Sequence, residues 1–284
     1  MIPVSFVFAF FGLFFASIFD IRTREIPDWL SYSMIALGFG TALIASILYK
    51  DFYPIVYSII GFAIGFVLAW IFYKTNQWGG GDSKALMGLG ALVGFNFNEG
   101  LPLFLILLLN IFIIGALYGF LWSVFLALKN FKMFKRAFRD YQLSENITKV
   151  RRMVVIATIV GLVAAIFTDS FNRLFFISVS ALIFFMFHFF VFTKAVEKSC
   201  MEKNIPISKL TEGDWVLETV SVNGKVLCTP KNPVTKEELA SLLKFKSQHK
   251  KSKILMREGI PFLPSFFIAF IFTLLLGNWL LFFI

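Results

Sequence analysis

The sequence has few of the residues on which most soluble enzymes build their chemistry. Only 15% of its 284 residues are charged, and it contains two histidines and two cysteines. Neither Cys200 nor Cys228 belongs to a Cys-x-x-Cys motif, so the cysteines predict no disulfide framework and no zinc site. No Walker motif occurs, and no serine or cysteine has a convincing catalytic base nearby. We therefore expect neither a metal nor a cofactor.

Apolar residues are abundant instead. They make up 58% of the chain, and the mean hydropathy is +0.79. Uncharged apolar runs recur along the chain, and about 20 such residues span a bilayer as a helix. Outer-membrane barrels have short alternating strands, which these continuous runs are not. The first run lacks the basic start and the cleavage site of a signal peptide. The sequence predicts an all-α polytopic membrane protein whose first helix is retained.

The apolar runs predict about eight spans, although six full spans with shorter pieces also fit. The fourth segment is short and contains three glycines, which let helix backbones approach closely in lipid. We therefore expect this segment to be an inner helix surrounded by others. The predicted spans cover residues 2–19, 29–49, 53–73, 82–97, 101–128, 153–167, 174–192 and 261–284.

Residues 193–257 differ in composition from the rest of the chain. Partial alternation over residues 214–222, followed by Asn223-Gly224, predicts a β-hairpin. The segment Thr235-Lys236-Glu237-Glu238 predicts a capping box at the start of a helix over residues 239–245. The predicted parts are a membrane helical domain (1–192), a small cytoplasmic α+β insert (193–257) and a final transmembrane helix (258–284).

Basic residues are concentrated in one set of loops. If the predicted spans alternate in direction, 25 of the 27 lysines and arginines fall on one side, and only Lys50 and Arg173 fall on the other. The positive-inside rule makes the basic side cytoplasmic and places both termini outside the cell membrane. For the basic loop 129–152 we expect anionic lipid headgroups as partners, and no nucleic acid.

Two aspartates lie at matching depth in this topology. Asp20 ends the first span as it reaches the cytoplasmic side, and Asp82 begins the fourth span as it leaves that side. Two carboxylates within about 3–5 Å repel each other when both are ionised, so such a pair holds one proton near neutral pH. The ionised member can activate water while the protonated member protonates a carbonyl. We expect Gly79–Gly81 to let a substrate backbone approach and to allow positive φ before the helix.

The segments around both aspartates resemble known motifs. Gly79-Gly80-Gly81-Asp82-Ser83-Lys84 is similar to the G-G-G-D-x-K form found in prepilin peptidases, within the G-x-G-D signature of membrane aspartyl proteases. The segment Asp20-Ile21-Arg22-Thr23-Arg24-Glu25-Ile26-Pro27-Asp28 resembles their first motif, an aspartate and a basic residue before Ile-Pro-Asn or Ile-Pro-Asp. The motifs cover little of the chain, but the membrane layout fits most of it. The chain most resembles the archaeal preflagellin (archaellin) and type IV prepilin peptidase family.

This resemblance implies a membrane aspartic endopeptidase. It would cleave leader peptides from type IV pilin-like or archaellin precursors at the cytoplasmic membrane face, with Asp20 and Asp82 as the catalytic pair. Bacterial relatives often add a cysteine-rich zinc loop and methylate the product. The chain has no tetracysteine cluster and no methyl-donor motif, so we expect peptidase activity alone.

The resemblance also gives neighbouring residues an expected role. Lys84 would either stabilise the Asp82 anion or extend to the membrane interface as a snorkelling lysine. Glu25 and Asp28 would extend the site or recognise the basic part of a substrate, and the alternative for Asp28 is simple helix N-terminal charge. The supporting motif residues are Gly79, Gly80, Gly81, Lys84 and Pro27.

Other classes of function fit parts of the pattern. An intramembrane protease of the presenilin or signal peptide peptidase type has tyrosine before its first aspartate, where this chain has Phe19. A proton- or cation-coupled transporter could use the same carboxylates, but transporters place such groups near the midplane within repeated halves. An assembly scaffold built on the insert needs neither aspartate.

We expect His188 to be a packing residue, and Asn110 and Asn278 to form interhelical hydrogen bonds.

Overall fold

In the computed structural model, the described residues are 3–75, 77–97, 100–222, 225–230, 233–245 and 253–277. They form ten α-helices and five short strands. The helices are α1 (Val4–Thr23), α2 (Asp28–Tyr49), α3 (Tyr53–Lys74), α4 (Gly80–Val93), α5 (Leu103–Lys129), α6 (Phe131–Gln142), α7 (Glu145–Ile166), α8 (Ser170–Val196), α9 (Lys236–Phe245) and α10 (Leu263–Leu276). The strands are β1 (Glu202–Pro206), β2 (Trp215–Val216), β3 (Val220–Val222), β4 (Lys225–Cys228) and β5 (Lys253–Arg257).

Five helices within the described ranges are long and apolar enough to cross a membrane, and they confirm the prediction of a polytopic helical membrane protein. They are α1, α2, α3, α5 and α8, the last continued by a π-helical turn over Glu197–Met201. The described part of α10 has 14 residues, and the remainder of the predicted last span lies outside the described residues. The predicted sixth span belongs to α7, which begins eight residues earlier than expected, in a charged segment.

The chain divides into two compact units, of which the first takes residues 1–121 and 259–284. At its centre is α4, which packs against α1, α2 and α3. Eight of its 14 residues are buried, as expected for an inner helix. Side chains from α1, α4, α5 and α10 complete a common apolar core, whose fully buried members include Leu13, Leu86, Leu89, Phe104, Phe266 and Phe270.

Glycines allow α4 to lie very close to its neighbours. A Cβ atom on Gly61 of α3 would lie 2.2 Å from the carbonyl oxygen of Gly90 in α4. A Cβ on Gly88 would lie 2.7 Å from Cβ of Met34 in α2. Because only hydrogen fits at these crossings, the sequence places glycine on both sides of the inner helix.

The second unit comprises residues 122–258. The long helices α7 and α8 pack together, joined by the brief turn expected near Asp169. The segment between Lys129 and Arg152, predicted as a loop, contains the amphipathic helix α6, which contacts α8 through the rings of Phe134 and Phe192. Local amphipathicity was visible in the sequence, but it was not sufficient to distinguish a surface helix from a solvated loop.

The insert within this unit is a small α+β assembly, as predicted. Strands β1, β5 and β2 form an antiparallel sheet in that order, and β3 pairs with β4. The predicted turn at residues 223–224 lies outside the described residues. The predicted capping box is confirmed, since the Thr235 amide donates to Glu238 Oε2 at 2.8 Å and the Glu238 amide donates to Thr235 Oγ1 at 3.3 Å. The helix it caps, α9, begins three residues before the predicted start.

Candidate active site

Asp20 lies in the last turn of α1 and is only 6% exposed. Its Oδ2 atom accepts a hydrogen bond from the main-chain amide of Leu263 at 2.9 Å, and the amide of Phe262 also bonds to the carboxyl group. These two amides stand at the start of α10, where a helix leaves its first N–H groups without intrahelical partners. The N-terminus of the last helix therefore holds the first motif's aspartate.

Two prolines limit which main-chain amides at the start of α10 can donate a hydrogen bond to Asp20. Pro261 precedes the two donors and Pro264 follows them, and proline has no N–H group. Pro264 is also well suited to the first turn of a helix, where its fixed φ matches the helical value. Between these two prolines, Phe262 and Leu263 therefore supply the main-chain N–H groups that reach the carboxylate.

Asp82 is the third residue of α4 and is half-buried. Its Oδ2 atom accepts a hydrogen bond from the Gly79 amide at 3.2 Å, so the side chain also caps its own helix. The charges of Asp82 and Asp20 interact. The structure therefore places these two carboxyl groups, 62 positions apart in the sequence, near enough for their charges to interact.

The glycines before Asp82 do not provide the positive φ that was expected of them. None of Gly79–Gly81 has positive φ; Gly79 is extended at φ −70° and the helix begins at Gly80. What the turn requires is space, because a Cβ on Gly81 would lie 2.6 Å from Cδ1 and 3.0 Å from Cβ of Ile26. The expectation of positive φ was wrong. Gly81 instead joins the two motifs, since it packs directly on Ile26 of the first.

Lys84 is paired with the first motif and not with its neighbour in sequence. Its Nζ atom lies 2.5 Å from Asp28 Oδ1 and 5.3 Å from the centre of the Tyr32 ring. Pro27 caps α2 and Asp28 is its first residue, as the sequence predicted. Glu25 is exposed in the short connection between α1 and α2, where its amide is bonded to the Thr23 hydroxyl.

Two further groups face Asp20 that the sequence did not single out. The guanidinium of Arg24 and the hydroxyl of Tyr118 both interact electrostatically with Asp20 and with each other. Arg24 is brought back towards the carboxylate because it adopts φ +62° and ends α1, with its amide bonded to the Asp20 carbonyl. A signal for Tyr118 was present, since it is the single tyrosine in α5.

The remaining polar candidates have structural partners. Asn110 Nδ2 donates to Thr273 Oγ1 at 2.8 Å, which confirms the predicted interhelical hydrogen bond, while Asn278 lies outside the described residues. His188 Nδ1 lies 2.8 Å from the Phe184 carbonyl oxygen, and its ring contacts that of Phe184. Burial raises the pKa of the Cys228 thiol, so it stays protonated and unreactive. The described residues include no group of three or more potential metal ligands among His, Cys, Asp and Glu.

Comparison with known proteins gives a match in the part of the chain that contains both motifs. Residues 7–120 match the model of the type IV leader peptidase family. The matched segment is less than half of the chain. The match contains both motifs and ends two residues after Tyr118.

Individual relatives agree with the family match. The chain is 37% identical over 90 residues to a preflagellin peptidase of Methanocaldococcus jannaschii. The aligned residues make up 32% of this chain and 38% of the relative. It is 38% identical over 90 residues to a preflagellin peptidase of Methanococcus maripaludis strain C6, covering 32% of this chain and 39% of the relative. The aligned segment therefore spans about two fifths of each of these relatives.

Proposed function

We propose that the chain is a membrane aspartic endopeptidase that removes leader peptides from archaellin or type IV pilin-like precursors. The observation that carries the proposal is that Asp20 and Asp82, one from each motif, lie near enough for their charges to interact. The match of residues 7–120 to the model of the type IV leader peptidase family supports it, as does the similarity to relatives named preflagellin peptidase.

The proposed reaction is hydrolysis of one peptide bond, without metal or cofactor. One aspartate, as the carboxylate, takes a proton from water, and the resulting hydroxide oxygen bonds to the peptide carbonyl carbon. The other aspartate, as the acid, gives its proton to the carbonyl oxygen. When the intermediate collapses, the C–N bond breaks and the first aspartate passes the proton it took from water to the amine nitrogen. The hydroxyl on the former carbonyl carbon returns its proton to the second aspartate, so one water has been consumed and both aspartates are restored.

The site is proposed to lie at the cytoplasmic face of the cell membrane. The concentration of basic residues in the loops on that side supports this orientation. Precursors with basic residues before an apolar segment would then present the scissile bond at the membrane edge. The exposed carboxylate of Glu25 lies in the same motif as Asp20 and is suitably charged to attract the basic part of such a leader. The carboxylate of Asp28 is also exposed, but its charge is balanced by Lys84. The amphipathic basic helix α6 is proposed to contact anionic headgroups on that face.

The experiment is precursor processing in membranes. An archaellin precursor is co-expressed with the wild type, with Asp20→Asn or with Asp82→Asn, and the loss of the leader is followed as a mobility shift. Each substitution removes an ionisable carboxyl at nearly unchanged size, so both variants should leave the precursor uncut. Asp140→Asn is the matched control, because Asp140 is an exposed residue of α6 and the same change there should leave processing intact.

A flux assay separates the peptidase from a coupled transporter that uses the same carboxylates. Proton and sodium uptake is measured in liposomes containing the wild type or the two asparagine variants. We expect no carboxylate-dependent flux. Uptake that disappears in both variants, while precursor processing persists, would favour the transporter.

A further inference from the structure

The two aspartates of the site are held differently. Asp20 is 6% exposed and accepts hydrogen bonds from two main-chain amides at the start of α10, those of Phe262 and Leu263. Asp82 accepts one amide hydrogen bond, from Gly79 in its own turn. Burial disfavours the charged form of both carboxyl groups, whereas hydrogen bonds donated by N–H groups favour it. Asp20, with two such bonds, is therefore better compensated than Asp82, with one.

The charges around the pair add to this difference. The groups that face Asp20 are Asp82 from α4, Tyr118 from α5 and Arg24 from the end of its own helix. Arg24 is the cation of this set and Tyr118 is a hydroxyl, so both can stabilise negative charge on Asp20. Lys84, the lysine nearest in sequence to Asp82, forms its ion pair with Asp28 instead. The positive charge in the site thus lies on the Asp20 side.

The position of α10 also favours charge on Asp20. The N-terminus of a helix carries about half a positive charge, which stabilises a nearby anion, most strongly where water is excluded. Leu263 is fully buried, so its amide meets the carboxylate away from solvent. A buried amide of this kind would lose a partner if Asp20 were rotated away, which fixes the carboxyl group in place.

We propose that the Phe262 and Leu263 amides of α10 keep Asp20 as the carboxylate of the pair, so that Asp20 activates the water and Asp82 donates the proton to the substrate carbonyl. This assignment rests on the proposed peptidase function. In it, Asp20 accepts the proton of water, the hydroxide oxygen bonds to the carbonyl carbon, and the Asp82 proton moves to the carbonyl oxygen. Leu263 acts through Asp20 and is a positioning residue, whose relevant group is its main-chain N–H.

The test replaces that N–H alone. Nonsense suppression with the α-hydroxy acid analogue of leucine at position 263 converts the amide to an ester and keeps the side chain. The matched control is the same amide-to-ester change at Ile268, in the middle of α10, where the lost N–H belongs to the helix ladder. Cleavage of a purified precursor is followed in detergent across pH, with rates expressed per monodisperse protein so that misfolded material does not contribute.

We expect the ester at position 263 to lower kcat by about tenfold or more while KM stays within about twofold, because a hydrogen bond to a charged group is lost. The acidic limb of the pH–rate profile, which reports the base, should move to higher pH. The ester at position 268 should leave both limbs where the wild type has them.

Other outcomes overturn the assignment or the function separately. If the two esters behave alike, or if the alkaline limb moves while the acidic limb stays, the α10 amides do not hold Asp20 as the base. Loss of cleavage in Asp82→Asn would still support the peptidase proposal in that case. If Asp20→Asn and Asp82→Asn still cleave the precursor in the same assay, the peptidase proposal itself fails.

Discussion

At the scale of single residues, the site depends on what each motif contributes to the other. Asp20 and Asp82 could be expected near each other from the sequence, because spans that alternate in direction put the end of the first and the start of the fourth on one side. The partner of Lys84 could not, because the ion pair with Asp28 forms only when the starts of α2 and α4 are adjacent. The donors to Asp20 were also missed, because main-chain amides leave no side-chain signature in a sequence.

Gly81→Ala should disturb the site without touching either carboxylate. The new Cβ would lie 2.6 Å from Cδ1 and 3.0 Å from Cβ of Ile26, so the two motifs must separate. Overpacking of this kind costs about 1–3 kcal/mol, and small displacements of catalytic groups lower rates by up to about 100-fold. We expect kcat for precursor cleavage to fall by about tenfold or more.

Two variants control this measurement. Gly40→Ala in α2 should remain active, because Gly40 lies outside both motifs and nothing lies within 4 Å of its Cβ. Adding Ile26→Val to Gly81→Ala removes the closest atom and should restore part of the rate. Equal activity of Gly81→Ala and the wild type would show that the contact between the motifs does not matter for catalysis.

At the scale of elements, the inner helix α4 determines the first unit. The predicted fourth segment, residues 82–97, is short and contains three glycines, which was sufficient to predict that neighbours surround it, because small residues let helices pack closely in lipid. The sequence was less informative for α6 and for the start of α7. Their charged turns fit an exposed helix and a loop equally well, and contacts with α8 decide between them.

Gly61→Ala should destabilise the protein more than any change at the outer surface of α3. The added Cβ would lie 2.2 Å from the Gly90 carbonyl oxygen and 3.0 Å from Gly94 Cα, and main-chain atoms cannot rotate away. We expect a fall of several degrees in the unfolding midpoint in detergent, corresponding to about 1–3 kcal/mol. Gly40→Ala is the control, since nothing lies within 4 Å of its Cβ. Identical midpoints for the two variants would contradict the close crossing of α3 and α4.

At the scale of the whole molecule, the proposed function requires a defined orientation in the membrane. The charge bias could be read from the sequence because it depends on composition, whereas the division into two compact units depends on contacts across long stretches of chain. The α+β character of the insert was predictable from its turn and capping signals, but the order of strands in its sheet was not.

Cysteine labelling in intact cells tests this orientation. The two labelling variants are Phe52→Cys and Glu145→Cys. Position 52 is in the loop between α2 and α3, position 145 is at the start of α7, and both side chains are strongly exposed. The native cysteines are buried and should give little background. A membrane-impermeant maleimide should label position 52 in intact cells and position 145 only after permeabilisation. The opposite pattern would place the aspartates at the outer face.

Asp20 and Asp82 are proposed to hydrolyse the leader peptide bond together. The most direct measurement is mass spectrometry of both products after a purified archaellin precursor has been incubated with the wild type, Asp20→Asn, Asp82→Asn or Asp140→Asn. The wild type and Asp140→Asn should give one leader and one mature product whose masses sum to the precursor plus one water, and the other two should give intact precursor. The same product pair from either of those two variants would contradict the account.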